Sequence, residues 1–200
     1  KIGLLPGGGG TQRLPRLIGA AAALPLLLQG TALKPAKAVE MGIATKLVKP
    51  GEEVAEAKAW LKEALSQEKV KLGKRGPEVL PAAIQPWDRE GYRIPGGGPQ
   101  DKGGSQVFTI GNAQLQKNTH GNYPAQTYIM QAVYEGIQVP MEAALRIETR
   151  YFTKLLMDPR SKAMIRSLFL SMQELSKDAR RPAGVPNFEV KKLGILGAGM

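Results

Sequence analysis

The chain has 200 residues, of which 42% are hydrophobic, so it can form one domain or two packed pieces and is not typical of a disordered protein. It has no cysteine and one histidine, His120, which excludes a disulfide framework and a thiolate nucleophile and leaves little basis for a metal site. The 28 Lys and Arg against 17 Asp and Glu give a net charge of +11, which favours nucleic acid, anionic lipid or phosphorylated ligands as partners.

The distribution of charged and apolar residues narrows the set of partners and locations that we expect for the chain. Basic residues are spread along the chain with acids between them, and no RNA-binding or zinc-finger motif accompanies them, so we do not expect a nucleic-acid partner. Residues 17–28 are apolar but shorter than the about 20 residues that span a bilayer. They predict a buried helix that Pro25 kinks or divides. With no transmembrane segment, disulfide or export signal expected, we predict a cytoplasmic protein.

Four consecutive glycines, residues 7–10, lead into Thr11 near the beginning of the chain. Glycine tolerates positive φ and has no Cβ, so this loop can approach a ligand or another chain segment closely. Thr11 is expected to cap a helix whose first amides face outward, toward an anion or a polarised oxygen. The loop is not a P-loop, because the required lysine is missing. A tight turn with close helix packing is the alternative interpretation.

The middle of the chain predicts helices on either side of a long loop. A short helix begins at Pro35 and is closed by Gly42, and the acids Glu40, Glu52 and Glu53 are expected to be solvated charges at helix ends. The other predicted elements are a strand over 43–48, a surface helix over 52–67 that packs one face, a loop over 69–105 pinned by Trp87 and Tyr92, and helices over 108–117, 124–136, 140–157 and 161–177. His120 is predicted to lie in a loop or at a helix end, without a catalytic role.

The last residues predict a strand over 190–196 that runs into Gly197-Ala198-Gly199-Met200. A strand followed by Gly-x-Gly opens the dinucleotide-binding fingerprint, in which the first glycine makes the tight turn and the second lets the backbone reach a pyrophosphate. Two of its three glycines are present, so an ordinary turn is an equal alternative on these four residues. They are the candidate cofactor-binding residues.

Several segments together resemble one family arrangement. KIGLLPGGGGTQRLPRLIG and ALKPAKAVEMGIATKLV resemble the crotonase (enoyl-CoA hydratase) family, and KKLGILGAGM resembles the start of a 3-hydroxyacyl-CoA dehydrogenase domain. The intervening GNYPAQ, AVYEG, ALRIETRYF and ARRPAGVP are similar to the connection between those domains in the multifunctional alpha subunits of fatty-acid β-oxidation. Lys1 is not a methionine and the final residues begin an element, so we expect an internal fragment of such a protein.

The resemblance implies an α/β fold that is mostly helical in this fragment. The implied divisions are the C-terminal part of a crotonase-type spiral domain over 1–68, a Gly/Pro-rich connecting loop over 69–107, a helical connector packing on the hydratase domain over 108–179, a linker over 180–187, and the first strand of a Rossmann NAD-binding domain over 188–200. Pro25 departs from the family pattern, in which this helix is usually free of proline.

The resemblance also implies two activities for the parent protein. Its hydratase adds water to a trans-2-enoyl-CoA thioester with two glutamates, while a glycine amide, here matched by Gly7, helps hold the water. Those glutamates are expected upstream of Lys1. The dehydrogenase oxidises the 3-hydroxyl with NAD, and its histidine base and that base's glutamate are expected downstream of Met200. The implied partners are acyl-CoA and a thiolase subunit, and the fragment itself is expected to be inactive.

Composition alone leaves two other functions open. One is a noncatalytic helical module that binds phosphorylated or acidic ligands through the net charge of +11. The other is a nucleic-acid binder, whose affinity would fall steeply with salt.

Overall fold

The computed structural model describes residues 2–72, 76–179, 181–185 and 189–195. The described chain is mostly helical, as predicted. Its α-helices, numbered in chain order, are α1 (Gly10–Ile18), α2 (Ala20–Gln29), α3 (Pro35–Glu40), α4 (Glu53–Leu65), α5 (Lys102–Thr119), α6 (Pro124–Gly136), α7 (Met141–Met157), α8 (Pro159–Ile165) and α9 (Met172–Ser176). A π-helical segment, Arg166–Ser171, joins the last two.

The core forms where α6 packs against α1, α2, α5 and α7. α6 buries residues on more than one side, and its small residues Ala132 and Gly136 let neighbouring helices come close. Leu155 of α7, Leu24 of α2 and Phe108 of α5 complete the same apolar cluster. The helices after residue 100 therefore share one core with the first two.

The apolar segment after the glycine run divides at Gly19 and not at Pro25. Gly19 has φ 81° and ψ 156°, and a Cβ there would lie 2.4 Å from the backbone oxygen of Pro95. Pro25 lies inside α2. Glycine adopts this backbone conformation readily and leaves room for Pro95, which accounts for the position of the break.

The predicted start and end of α3 are confirmed. Pro35 occupies the first turn, and Gly42 follows the helix with φ 75° while the amide of Ile43 donates to the oxygen of Ala38. The predicted strand over 43–48 is wrong, because these residues are irregular. A strand needs a hydrogen-bonded neighbour, and the described part of the chain places none beside them.

The surface helix predicted over 52–67 exists as α4, but its packing differs from the prediction. Val54, Leu61 and Leu65 are exposed, and Ala64 is the side chain that α4 buries within the described residues. α4 instead meets the irregular segment before it, through an ion pair between Glu56 and Lys46. Helical periodicity identifies an apolar face but not whether that face is covered.

The predicted long loop contains short regular structure. Val70–Lys71 (β1) and Glu78–Val79 (β2) form an antiparallel pair in which Val70 faces Val79, and two 3-10 turns follow at Pro81–Ala83 and Pro86–Asp88. The hydroxyl of Tyr92 donates to the backbone oxygen of Arg16 at 2.7 Å, which confirms that this loop is held against the helical core.

The later segments were correctly predicted to be helices, but some of their bounds differ from the predicted ones. α6 spans the predicted residues 124–136, whereas α5 begins six residues earlier than its predicted start at 108. The sequence predicts a loop at Gly103 and Gly104. Gly104 permits close packing instead, because a Cβ there would lie 2.0 Å from the backbone oxygen of Gly98. The segment predicted as one helix over 161–177 begins at Pro159 and contains the π-helical segment.

The predicted strand over 190–196 is not confirmed. Residues 189–195 are irregular and exposed, without a strand partner among the described residues, and residue 196 lies outside that range. No described helix combines the length and apolar character needed to cross a membrane. The described residues also contain no cluster of three or more His, Asp or Glu suited to a metal ion.

Candidate functional site

The glycine run forms a tight turn over residues 7–9, called here the glycine turn, that leads directly into α1. Gly9 has φ 89° and precedes the first residue of the helix, while Gly7 and Gly8 are exposed. Thr11 is inside α1, so its predicted position as the N-cap is wrong. Gly9 takes that position because the turn requires a left-handed residue there.

The turn lies against α7. A Cβ on Gly7 would lie 2.9 Å from the ring of Phe152, so a larger residue would require the turn or the ring to shift. The predicted close approach is therefore to another segment of the same chain. The amide of Gly7 donates no hydrogen bond to any residue that the structure describes. Gly7 as a residue is exposed, so a small ligand can approach the turn at this point.

The anion expected at the start of α1 is supplied from within the protein. Glu148 of α7 accepts hydrogen bonds from the amide of Gly9, from the amide of Thr11 at 2.9 Å and from the Thr11 hydroxyl. A carboxylate here satisfies free helix amides and interacts favourably with the helix dipole. The prediction that these amides face outward is wrong for Gly9 and Thr11.

A second buried polar group is the next residue of α1 after Thr11. Gln12 is fully buried, and its side-chain nitrogen donates to the Thr11 hydroxyl at 3.0 Å and to the backbone oxygen of Ala132 at 2.8 Å. Its own side-chain oxygen accepts from Arg16 at 3.2 Å. The amide thus joins α1 to α6 with its donors and acceptor satisfied.

Arg16 lies at the other end of this network, beyond the C-terminal end of α6. Its guanidinium donates to the backbone oxygens of Gly136 at 2.8 Å and Val139 at 2.9 Å, which lie where a helix leaves carbonyls free. Burial lowers the pKa of Arg16, and the nearby Tyr92 opposes that shift. Burial raises the pKa of Tyr92, and Arg16 opposes it. Arginine stays charged under ordinary conditions, so the cation complements the end of α6.

An apolar groove of about 710 Å³ lies between α2, α5 and α6. Its apolar walls include Leu24, Leu28, Val107, Ile110 and Met130. Gln126 also lines it, and its buried side-chain oxygen has no hydrogen-bond partner among the described residues. The groove can accommodate an apolar group that carries a hydrogen-bond donor.

The other sequence-predicted residues are not brought to the glycine turn. Glu40, Glu52 and Glu53 are exposed at the ends of α3 and α4, as predicted. His120 ends α5 with φ 47° and is exposed, which confirms a helix-end position. The four candidate cofactor-binding residues, Gly197, Ala198, Gly199 and Met200, lie outside the described residues, so their role stays a prediction.

Sequence reasoning missed Glu148, Gln12 and Arg16. A signal was present for Glu148, because it shares a buried stripe of α7 with Ala144, Tyr151 and Leu155. A carboxylate on an otherwise apolar helix face is rare unless it is hydrogen-bonded. Its partner could not be read from sequence, since Thr11 is 137 residues away.

Comparison with known proteins finds related sequences for the entire chain. Residues 1–74 match the family described as enoyl-CoA hydratase/isomerase. The whole chain is 34% identical to the fatty acid oxidation complex subunit alpha of Shewanella putrefaciens and of Shewanella baltica, and 33% identical to that of Shewanella frigidimarina. In each case it spans 26% of the relative's length.

Proposed function

We propose that the complete protein hydrates trans-2-enoyl-CoA thioesters. The premise is that residues 1–74 match the enoyl-CoA hydratase/isomerase family and that the whole chain is similar to fatty acid oxidation complex alpha subunits. The product is the 3-hydroxyacyl-CoA. The observation that carries the proposal is the glycine turn, where the amide of the exposed residue Gly7 has no partner among the described residues and the turn leads into α1, which buries Thr11 and Gln12.

The proposed chemistry assigns Gly7 a binding role. Its N–H donates to the oxygen of the attacking water, which orients that water toward the double bond. Two glutamates carry the protons: one accepts a proton from the water, and the other delivers a proton to the α carbon. Backbone amides stabilise the charge that develops on the thioester oxygen.

Glu148 is not a candidate for either glutamate. One of its oxygens accepts a hydrogen bond from the glycine turn and the other accepts from α1, whereas a general base needs an oxygen that faces the water. Glu40, Glu52 and Glu53 are exposed charges at the ends of other helices. We therefore propose that the acid-base glutamates belong to a part of the complete protein outside these 200 residues, and that the chain alone is inactive.

A second proposed activity of the complete protein is oxidation of the 3-hydroxyacyl-CoA to the 3-ketoacyl-CoA with NAD. Its support is the homology to the alpha subunits together with the Gly197-Ala198-Gly199-Met200 motif. Bound NAD would take up the hydride from the carbon that bears the 3-hydroxyl, while a base would accept the hydroxyl proton. These four residues, which lie outside the described part of the chain, would approach the NAD pyrophosphate.

The remaining proposals concern partners and location. Acyl-CoA is the proposed substrate, and a thiolase subunit is the proposed protein partner because the homologous proteins are subunits of fatty acid oxidation complexes. A cytoplasmic location stays a prediction, which rests on the cysteine-free composition.

The test of the hydratase proposal compares two proteins on crotonyl-CoA. We expect the complete protein that carries this sequence to consume crotonyl-CoA, which is followed by loss of the absorbance of the conjugated thioester. We expect the purified 200-residue chain to give no rate above that of buffer. Hydration by the chain alone would contradict the assignment of the glutamates, and an inactive complete protein would contradict the proposed function.

A further inference from the structure

The carboxylate of Glu148 is buried in the core although it has no cationic partner within the described residues. The residue is 2% exposed and lies on the stripe of α7 that also buries Ala144, Tyr151 and Leu155. Burial of a carboxylate is costly unless hydrogen bonds replace the lost water. The proposed hydration does not use Glu148 for proton transfer, so its position calls for another explanation.

The donors that compensate this carboxylate belong to the last residue of the glycine turn and to the first turn of α1. They are the amides of Gly9 and Thr11 and the Thr11 hydroxyl, at the positive end of the helix dipole. Hydrogen bonds to a charged acceptor are stronger than those between neutral groups. The carboxylate therefore fixes the last residue of the glycine turn and the first turn of α1 relative to α7.

A second contact from α7 meets the other end of the turn. Phe152 follows Glu148 by four residues, so both side chains lie on one face of the helix. The ring of Phe152 lies against Gly7, close enough to leave no room for a Cβ. Between these two points the side chain of Arg13 donates to the backbone oxygen of Gly8. Each residue of the turn is thereby contacted by a side chain of α7 or α1.

We propose that Glu148, together with Phe152, is a positioning residue of the hydratase site. By binding Gly9 and packing on Gly7, these two side chains hold the glycine turn in the conformation that presents the Gly7 amide to the attacking water. The inference rests on the proposed hydration. It assigns to α7, which lies outside the 74 residues matched by the hydratase family, a direct effect on that site's geometry.

The main variant is Glu148→Gln in the complete protein. Glutamine has the same shape but one acceptor oxygen in place of two. Its NH₂ group therefore faces the N–H of either Gly9 or Thr11, and that amide loses its hydrogen-bond acceptor. The matched control is Glu142→Gln, on the same helix, where the side chain is 85% exposed and pairs with Arg146. The control removes a carboxylate from α7 without touching the glycine turn.

We expect Glu148→Gln to lower kcat for crotonyl-CoA hydration by about 10-fold to 100-fold while KM stays within about 3-fold, because a misplaced water donor affects the chemical step more than thioester binding. Glu142→Gln should stay within about 2-fold of the wild type in both constants. Hydrogen exchange of the Gly9 and Thr11 amides, which donate to Glu148, should become faster in Glu148→Gln and not in Glu142→Gln. Assays are made well below the unfolding temperature of each variant, so that lost fold and lost geometry are separated.

Phe152→Leu is the second variant, and it serves where Glu148→Gln does not fold. It keeps an apolar side chain but removes the ring that meets Gly7, and we expect a kcat decrease of about 3-fold to 10-fold with little change in KM. The inference is overturned if either folded variant keeps kcat within about 2-fold of the wild type. An inactive wild-type protein overturns the proposed function as well, whereas an active wild type with unchanged variants overturns this inference alone.

Discussion

Gln12 and Gly136 depend on each other at the contact between α1 and α6. Gln12 is held by hydrogen bonds to Thr11, Ala132 and Arg16, so its side chain cannot move without losing a buried partner. Because Gly136 has no side chain, it leaves the space that the side-chain oxygen of Gln12 occupies. A Cβ on Gly136 would lie 1.9 Å from that oxygen.

We therefore predict that Gly136→Ala destabilises the purified chain by about 2–4 kcal/mol, since overpacking and a lost buried hydrogen bond outweigh the about 1 kcal/mol by which alanine favours a helix. Urea unfolding followed by far-UV circular dichroism measures the change. Gly103→Ala is the matched control, because its Cβ would be 3.5 Å from the nearest atom, the backbone oxygen of Gly96. The control should be neutral or stabilising by up to about 1 kcal/mol. Equal midpoints for the two variants would contradict the argument.

At the scale of elements, the sequence predicted best what local residues decide. Pro35 and Pro124 mark helix starts because proline is suited to a first turn, and both predictions are confirmed. The prediction of a strand over 43–48 is wrong because strand formation depends on a neighbouring strand that the sequence does not identify. The site behaved in the same way: Gly7 and its close approach were predictable from glycine itself, but Glu148 and Phe152 come from far along the chain.

The junction between α7 and α8 is a local feature with a testable pH dependence. Asp158 accepts a hydrogen bond from the amide of Arg160 at 2.8 Å and forms an ion pair with its guanidinium at 2.8 Å. The side-chain hydrogen bond from Arg160 is the largest cause that lowers the pKa of Asp158 below its ordinary value of 3.8. A lowered folded-state pKa contributes stability above the unfolded-state pKa, and this contribution is lost as pH falls through the folded-state value.

Asp158→Asn should therefore lower the urea midpoint at about pH 7 and lower it less, or not at all, at about pH 3. Asparagine remains a good helix N-cap, so the variant tests the charge and not the cap. Glu142→Gln, at an exposed pair on α7, should leave the midpoint nearly unchanged at both values. A difference between Asp158→Asn and the wild type that grows toward acid pH would show that the carboxylate is destabilising when charged.

For the whole molecule, the buried network joins the beginning of the chain to its later helices. The carboxylate of Glu148 meets the N-terminal end of α1, and the guanidinium of Arg16 meets the C-terminal end of α6. Each buried charge lies at the helix end of opposite polarity. This arrangement and the shared apolar core make α1, α2, α6 and α7 one packed unit, whereas α4 buries one side chain among the described residues.

That contrast predicts unequal local stability in the purified chain. Amides of α6 should exchange with solvent hydrogen only through large-scale unfolding. The apolar side chains of α6 pack in the core, and Arg16 donates a hydrogen bond to the carbonyl at its C-terminal end. Amides of α4 should be at least about 100-fold less protected, since opening this helix exposes little new apolar surface. Hydrogen exchange with mass spectrometry, repeated at low urea concentrations, distinguishes the two. Equal protection of α4 and α6 would mean that α4 unfolds only together with the core, and its exposed Val54, Leu61 and Leu65 would then require a covering surface in solution.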